Sequence, residues 1–421
     1  MRTDFGNPTS HFTFMGGLKM KNIVRVALLL TVLLAAATPA AYADLQRVGP
    51  VGFGGYPAWY QDRTGLAMDF CSPTHQAELA GGWCLLLTGD TVAPETFPSQ
   101  FFDEHFYWAA SADVSNQMPN GGRASLVLAL EGAFAAGDVI PGDQIVFGRV
   151  RIRIDPLPAS GTYTVYTPFG KYTFPNQAAG ARLFFTEDIG IQCPPGDFTC
   201  ALTSKVGPFL LPSAAPGGAE MPPVSAANPT PDTDPQHFPG GAPTAYPGTG
   251  RSYIADPARI GAVTGSALAP FVSPADGLTY NHNIFRIEGP TGVLSTFDFS
   301  LMGRVFEGPL AGQVTVDRAS YARSATANKV DVFATGLPST QARIPAGPPP
   351  AQVTPQLQYY DAPCVANLDA NGNLLSYSAP AVPATQMLGA GNNYWGQSAP
   401  GTVPSAVCVM QANAVDANGN T

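Results

Sequence analysis

The chain has 421 residues; 45% are apolar and only 12% are charged, against about 25% charged in ordinary soluble domains. With 87 Gly and Pro and 10% aromatics, it is too apolar for a disordered polymer, and its surface has to be built from Ser, Thr, Asn, Gln, Gly and Pro. Residues 44–421 carry 17 basic and 29 acidic side chains, a net charge of −12, so nucleic acid and anionic membranes are repelled as partners.

Residues 1–43 read as a secretory signal peptide. Lys19, Lys21 and Arg25 form a basic start, Val26 to Ala37 an apolar run of 12 residues, and Ala41-Tyr42-Ala43 a small-x-small cleavage site. Crossing a bilayer needs roughly 20 apolar residues. This run falls short and no later one is longer, so residues 44–421 are expected to carry no transmembrane segment. Residues 1–14 fit no targeting pattern, which points to an over-extended start with Met15 or Met20 as the working one. Export puts the six cysteines (Cys71, Cys84, Cys193, Cys200, Cys364 and Cys408) in an oxidising compartment. About 15 pairings are open to six cysteines; proximity along the chain favours Cys71–Cys84, Cys193–Cys200 and Cys364–Cys408. A thiol metal site lacks its C-x2-C and H-x3-H partners, and no cofactor motif appears.

Period-two patterns dominate the exported part. "PAWYQ" and "LAMDFC" flank Asp62-Arg63-Thr64-Gly65 as a hairpin. "FFDEHFYW" (101–108) reads as an aromatic strand that places Phe101, Asp103, His105 and Tyr107 on one face. In 149–155, Val150, Ile152 and Ile154 alternate with Arg149, Arg151 and Arg153, the mark of a half-buried antiparallel strand. "TYTVY" and "KYTF" flank Thr167-Pro168-Phe169-Gly170, where Pro presets one dihedral and Gly is expected to supply positive φ. Residues 207–250 hold 11 prolines and almost no alternation, as in an insertion or linker with polyproline II character. "HNIFRIEGP" and "TFDFSLMGRV" resume the alternation and return to the first sandwich. "QVTVDRASY" and "KVDVFATG" form another pair. Asp369-Ala-Asn-Gly-Asn373 and Asp416-Ala-Asn-Gly-Asn420 repeat a hairpin-turn signal. The second copy has no return strand after it, so a truncated sequence or a missing closing strand is expected. These turns lack the Gly and Glu of a calcium loop.

Asp103 and His105 stand side by side on their strand, and Glu131 with Glu187 would be the pair of carboxylates that glycoside hydrolysis needs. Together they are a weak alternative site. A catalytic constellation also needs a nucleophile or metal and an oxyanion stabiliser, and no G-x-S-x-G, H-E-x-x-H, Walker or G-x-G-x-x-G motif supplies one. The arginine row 149/151/153 is the natural mate of the acids, as an ion-pair face or as a strip for anionic glycans. No catalytic, cofactor or metal residue is assigned.

The run Tyr56-Pro57-Ala58-Trp59-Tyr60, with Asp62, Thr64-Gly65-Leu66 and Cys71, resembles the opening hairpin of a family of uncharacterised exported bacterial β-sandwich proteins. "HFYWAASA", "LEGAF", "VFGRVRIRI", "TYTVYTPFGKYTF", "EDIG" and "FRIEGP" resemble its later strands, and "VDRASYARSA" with "KVDVFATG" resembles an Ig-like segment that follows them. The resemblance spans about residues 50–336, interrupted by the Pro-rich stretch, and implies export and sandwich modules without a transferable activity.

The expectation is an all-β protein: an antiparallel β-sandwich (44–206), a Pro/Gly-rich insertion or linker (207–250), returning strands of that sandwich (251–312), and an Ig-like β module (313–421). It would be secreted or held at the cell surface as a non-catalytic structural or binding module. Rings stack without charge, so a glycan or a cell-surface protein is the expected partner. An extracellular hydrolase with paired carboxylates is the alternative.

Overall fold

The computed structural model describes residues 45–308 and 310, then 314–323, 328–336, 345–346, 356–361, 366–368, 374–377, 381–390, 393–397 and 407–413. The signal-peptide residues, both Asp-Ala-Asn-Gly-Asn turns and Cys364 lie outside these, as does the side chain of Cys408. No described helix is long and apolar enough to cross a membrane.

The protein is an all-β antiparallel sandwich. Its strands, in chain order, are β1 (Leu45–Val48), β2 (Trp59–Asp62) and β3 (Ala67–Asp69), then, after helix α1 (Gln76–Gly81), β4 (His105–Asp113), β5 (Arg123–Phe134), β6 (Gln144–Asp155), β7 (Gly161–Thr167), β8 (Gly170–Gln177) and β9 (Leu183–Ile189). There follow β10 (Leu211–Pro212), β11 (Ile260–Thr264), β12 (Phe271–Val272), β13 (Thr279–Tyr280), β14 (Phe285–Gly289), β15 (Gly292–Thr296) and β16 (Asp298–Met302). A seven-stranded sheet runs β10-β11-β16-β4-β5-β6-β9, and a four-stranded one β15-β14-β7-β8. Strands on both sides of the Pro-rich stretch enter both sheets.

The period-two alternation of β6 builds the core. Val150, Ile152 and Ile154 are 2%, 0% and 1% exposed and pack with Leu126 and Leu128 of β5 against Tyr163, Val165, Phe285 and Ile287 of the four-stranded sheet. The arginines between them face the other way and stay half-buried. The smaller sheet β1-β2-β3 adds Leu45, Tyr60 and Met68 to the same core.

The turns form for local reasons. In the β2–β3 hairpin, one carboxylate oxygen of Asp62 accepts from the Thr64 amide, the Thr64 hydroxyl and the Leu66 amide, while Gly65 sits at φ 89°. At the β7–β8 turn, positive φ at Gly170 is not used. The Thr167 hydroxyl closes the turn instead, accepting from the Phe169 amide and donating to the Gly170 carbonyl, both at 3.2 Å.

Two sequence expectations need correction. The strand expected over 101–108 begins only at His105, because the Phe102 amide donates to the Glu95 carboxylate (3.2 Å) instead of joining a ladder. A β-bulge between Phe106 and Trp108 then breaks the alternation, so Tyr107 and Trp108 are both fully buried. The stretch 207–250 does not trail as an open polyproline II segment. Phe209, Leu210 and Leu211 are in the core, β10 pairs with β11, Val224 and Phe238 are buried, and the second Asp62 oxygen accepts from the Phe209 amide at 2.9 Å.

Two of the disulfides expected from proximity are formed, Cys71–Cys84 and Cys193–Cys200. Farther along, β17 (Val314–Arg323), β18 (Asn328–Gly336), β19 (Gln356–Asp361), β20 (Ala366–Leu368), β21 (Leu374–Tyr377), β22 (Ala381–Gln386), β23 (Leu388–Ala390), β24 (Asn393–Gln397) and β25 (Val407–Asn413) form antiparallel sheets β17-β18-β24-β23 and β22-β19-β25 and the hairpin β20-β21.

Candidate functional site

The four residues of the weak alternative site do not meet. Asp103 is exposed ahead of β4. His105 is fully buried, its Nε2 2.8 Å from Glu95, its ring packed beside Phe70 and Phe101 at centroid distances of 4.9 and 4.2 Å. Glu131 lies opposite Phe147 in the β5–β6 register, on the face that carries Arg149 and Asp188. Glu187 lies opposite Val150, on the other face, where Lys205 and the Tyr172 hydroxyl hold it. Side chains that alternate across a sheet point to opposite sides of it, so Glu131 and Glu187 cannot flank one glycosidic bond.

The arginine row is matched by acids. Arg149 donates to Glu131 (2.7 Å) and Asp188 (2.8 Å), Arg151 lies 3.9 Å from Asp188, and Arg153 donates to Asp155 at 2.8 Å. Burial is the main influence on Glu131 and pushes its pKa up to about 8, outweighing Arg149, whose charge Asp188 shares. Its Oε1 has no hydrogen-bond partner among the described residues.

Two buried polar clusters lay beyond sequence reasoning. In the first, one oxygen of Glu95 accepts from the Ser72 hydroxyl (2.6 Å) and also meets His105, beside a cavity of about 260 Å3 bordered by Phe53, Ser72, Pro94 and Arg251. The order is serine, acid, imidazole. A Ser-His-acid relay needs the imidazole in the middle; here the Nδ1 of His105 has no partner among the described residues, and the ring packs beside Tyr56, Phe70 and Phe101. In the second, Arg304 donates to Asp69 and Glu78 and to the carbonyls of Ser72 and Phe70, and Tyr253 donates to Glu78 at 2.6 Å. Burial opposes ionisation of Glu78, but Arg304, the Tyr253 hydroxyl and the amides of Thr74 and His75 together hold its pKa below the usual carboxylate value. This network ties the disulfide loop to the segment that follows β16. Among the described residues, no group of three or more His, Cys, Asp or Glu gathers so as to hold a metal ion.

The open concave surface is elsewhere, on the outer face of the seven-stranded sheet. Two adjoining cavities of about 260 and 470 Å3 share Ser111, Val127 and Ser300 and form one groove along β16, β4 and β5. The register explains the depression. Ser300, Ser111 and Val127 stand in one row across the three strands, with Ala109 and Ser125 in the neighbouring rows, and all are small. At one end are Leu85, Phe106 and Met302, the last two packed on the buried Cys71–Cys84 disulfide. At the other are Asp113, Asn116, Arg123 and Asp298. From Phe106 to Asp113 the groove spans seven strand residues, on the order of 20 Å. The bulge after Phe106 brings Phe106 and Ala109 to the same face, and the pairing of β16 with β4 makes Ser300 and Ser111 adjoin, so the groove was not legible in the sequence. No protein-family model, curated protein or solved structure matches the chain.

Proposed function

We propose that the chain is exported and works outside the cytoplasm as a disulfide-stapled, non-catalytic binding module: an N-terminal β-sandwich with the outer-face groove as its binding surface, followed by an Ig-like module. The single observation that carries this reading is the placement of the conspicuous acids and His105, which do not converge: Asp103 is exposed, His105 is buried, and Glu131 and Glu187 are ion-paired on opposite faces, while a groove on the outer face of the sheet is floored by small neutral side chains. Two disulfides support an oxidising compartment, and the motif order from Tyr56 to Gly336 supports kinship with exported bacterial β-sandwich proteins.

The test is to present purified residues 44–421 to chromogenic ester, peptide and glycoside substrates and, in parallel, to immobilised polysaccharides. Saturable retention without turnover is the expected result. Turnover that disappears in Asp103→Ala or Glu187→Ala overturns the reading. A hydrolase is the second reading, favoured by one observation, the Ser72–Glu95 contact beside its cavity; turnover abolished by Ser72→Ala would establish it.

A further inference from the structure

We infer that the groove binds a neutral carbohydrate chain in one polarity, its less polar sugar face over Leu85 and Phe106 and its hydroxyls toward Arg123 and Asp298. This rests on the reading of the chain as a binding module and adds the site and the ligand class.

The floor alternates methyl groups and hydroxyls: Ala109, Val127, Ser125, and a hydrogen-bonded pair, Ser111 with Ser300, at 2.7 Å. A sugar chain alternates C–H faces and hydroxyls in the same way, and a hydroxyl both donates and accepts. At the polar end, Asn116, Arg123 and Asp298 are exposed, and their side chains have no hydrogen-bond or ion-pair partner among the described residues. They offer an amide, a donor fork and an acceptor pair within one groove end, a set that satisfies hydroxyls without demanding net charge.

An anionic chain is disfavoured because Arg123 shares its end of the groove with two acids, Asp113 and Asp298, and because the arginine row beside the groove is already matched by Glu131, Asp155 and Asp188. A peptide bound by strand addition needs ladder partners for its backbone, which a sheet edge offers and a sheet face does not, and a polyproline II peptide needs a groove lined with aromatic rings, which the small residues of this floor do not supply.

The apolar end carries a built feature. Leu85 is 46% exposed and sits at φ 60°, a left-handed conformation that β-carbon-bearing residues avoid. Its neighbour Cys84 is bonded to Cys71, and that disulfide packs on Ala109, Ala129 and Met302 of the groove end. Strained backbone that holds an apolar side chain in solvent points to a contact made by something else.

The probes are insoluble cellulose, xylan, β-1,3-glucan, chitin and starch, with heparin as the anionic polymer and casein as an extended polypeptide. Wild type is expected to be retained on at least one neutral polysaccharide. Val127→Trp fills the middle of the groove and should weaken that retention at least about tenfold. Arg123→Ala with Asp298→Ala, both exposed, should weaken it about fivefold or more through lost hydrogen bonds. Leu85→Gly relieves the positive φ and so folds at least as well; it should also weaken binding several-fold. Neutral-polysaccharide retention untouched by all three variants refutes the site while leaving the binding-module reading standing. Retention on heparin or casein alone refutes the ligand class. Retention on nothing, with turnover of a chromogenic substrate, overturns both.

Discussion

The two faces of the seven-stranded sheet are made by the same strands and differ in side-chain size. Inward, Leu126, Leu128, Val150 and Ile152 are buried to within 2% and fill the space to the second sheet. Outward, the same strands carry Ser125, Val127, Ala129 and the arginine row, and in the middle of the groove, where β16, β4 and β5 adjoin, Ser300, Ser111 and Val127 make a row of small residues. One face is a packing surface and the other is a depression. Alternation assigns the faces, and residue volume decides what each becomes.

Substitutions test that contrast most severely on the inner side. Leu128→Ala removes a fully buried side chain and should cost about 2–5 kcal/mol, whereas Val127→Ala, its outward neighbour, should cost less than about 1 kcal/mol; urea denaturation of the pair measures the difference. Equal losses would mean that the outer face is a packed interface. Next, replacing both Cys71 and Cys84 by Ala should lower stability by about 3 kcal/mol, a 13-residue separation being closed by the bond. It should also weaken polysaccharide retention, since the groove end rests on that disulfide.

Glu131 sharpens the comparison further, as a buried acid on the outer face. Its folded pKa of about 8 exceeds the unfolded value, so between these the unfolded chain holds fewer protons and stability falls as pH rises. Burial likewise raises Asp62, to about 6, against the four hydrogen bonds it accepts, so it contributes in a lower window. From pH 6 to 8 the wild type should therefore lose about 2 kcal/mol that Glu131→Gln retains, as read by denaturation midpoints at the two pH values. An unchanged slope in the variant would mean that the Arg149 pair keeps Glu131 ionised. The smallest effect is expected for Ser111→Ala in the groove floor, within about 1 kcal/mol of wild-type stability, while ligand retention drops.

Legibility followed locality. The strand of Val150, Ile152 and Ile154, the hairpin at Asp62 and the two short-range disulfides depend on residues within a few positions of one another, and each is where the pattern places it. The aromatic run at 101–108 misled because alternation assumes an unbroken ladder. A bulge and a carboxylate ten residues upstream of His105 replaced the ladder there. The Pro-rich stretch misled in the opposite sense. Its composition signals extension, but Phe209 to Leu211 had a core within reach.

By itself the sequence determined that this is a sheet protein, which side chains share a face along an unbroken strand such as β6, and where the hairpin at Asp62 turns, because period two is a property of the extended backbone. Tertiary structure decided which strands lie side by side. It brought Arg304 to Asp69 across 235 residues, and β16 to β4 so that Ser300 meets Ser111 across 189. Register between distant strands is set by how the two faces pack and by what each long connection can reach, so the groove exists only once those pairings are made.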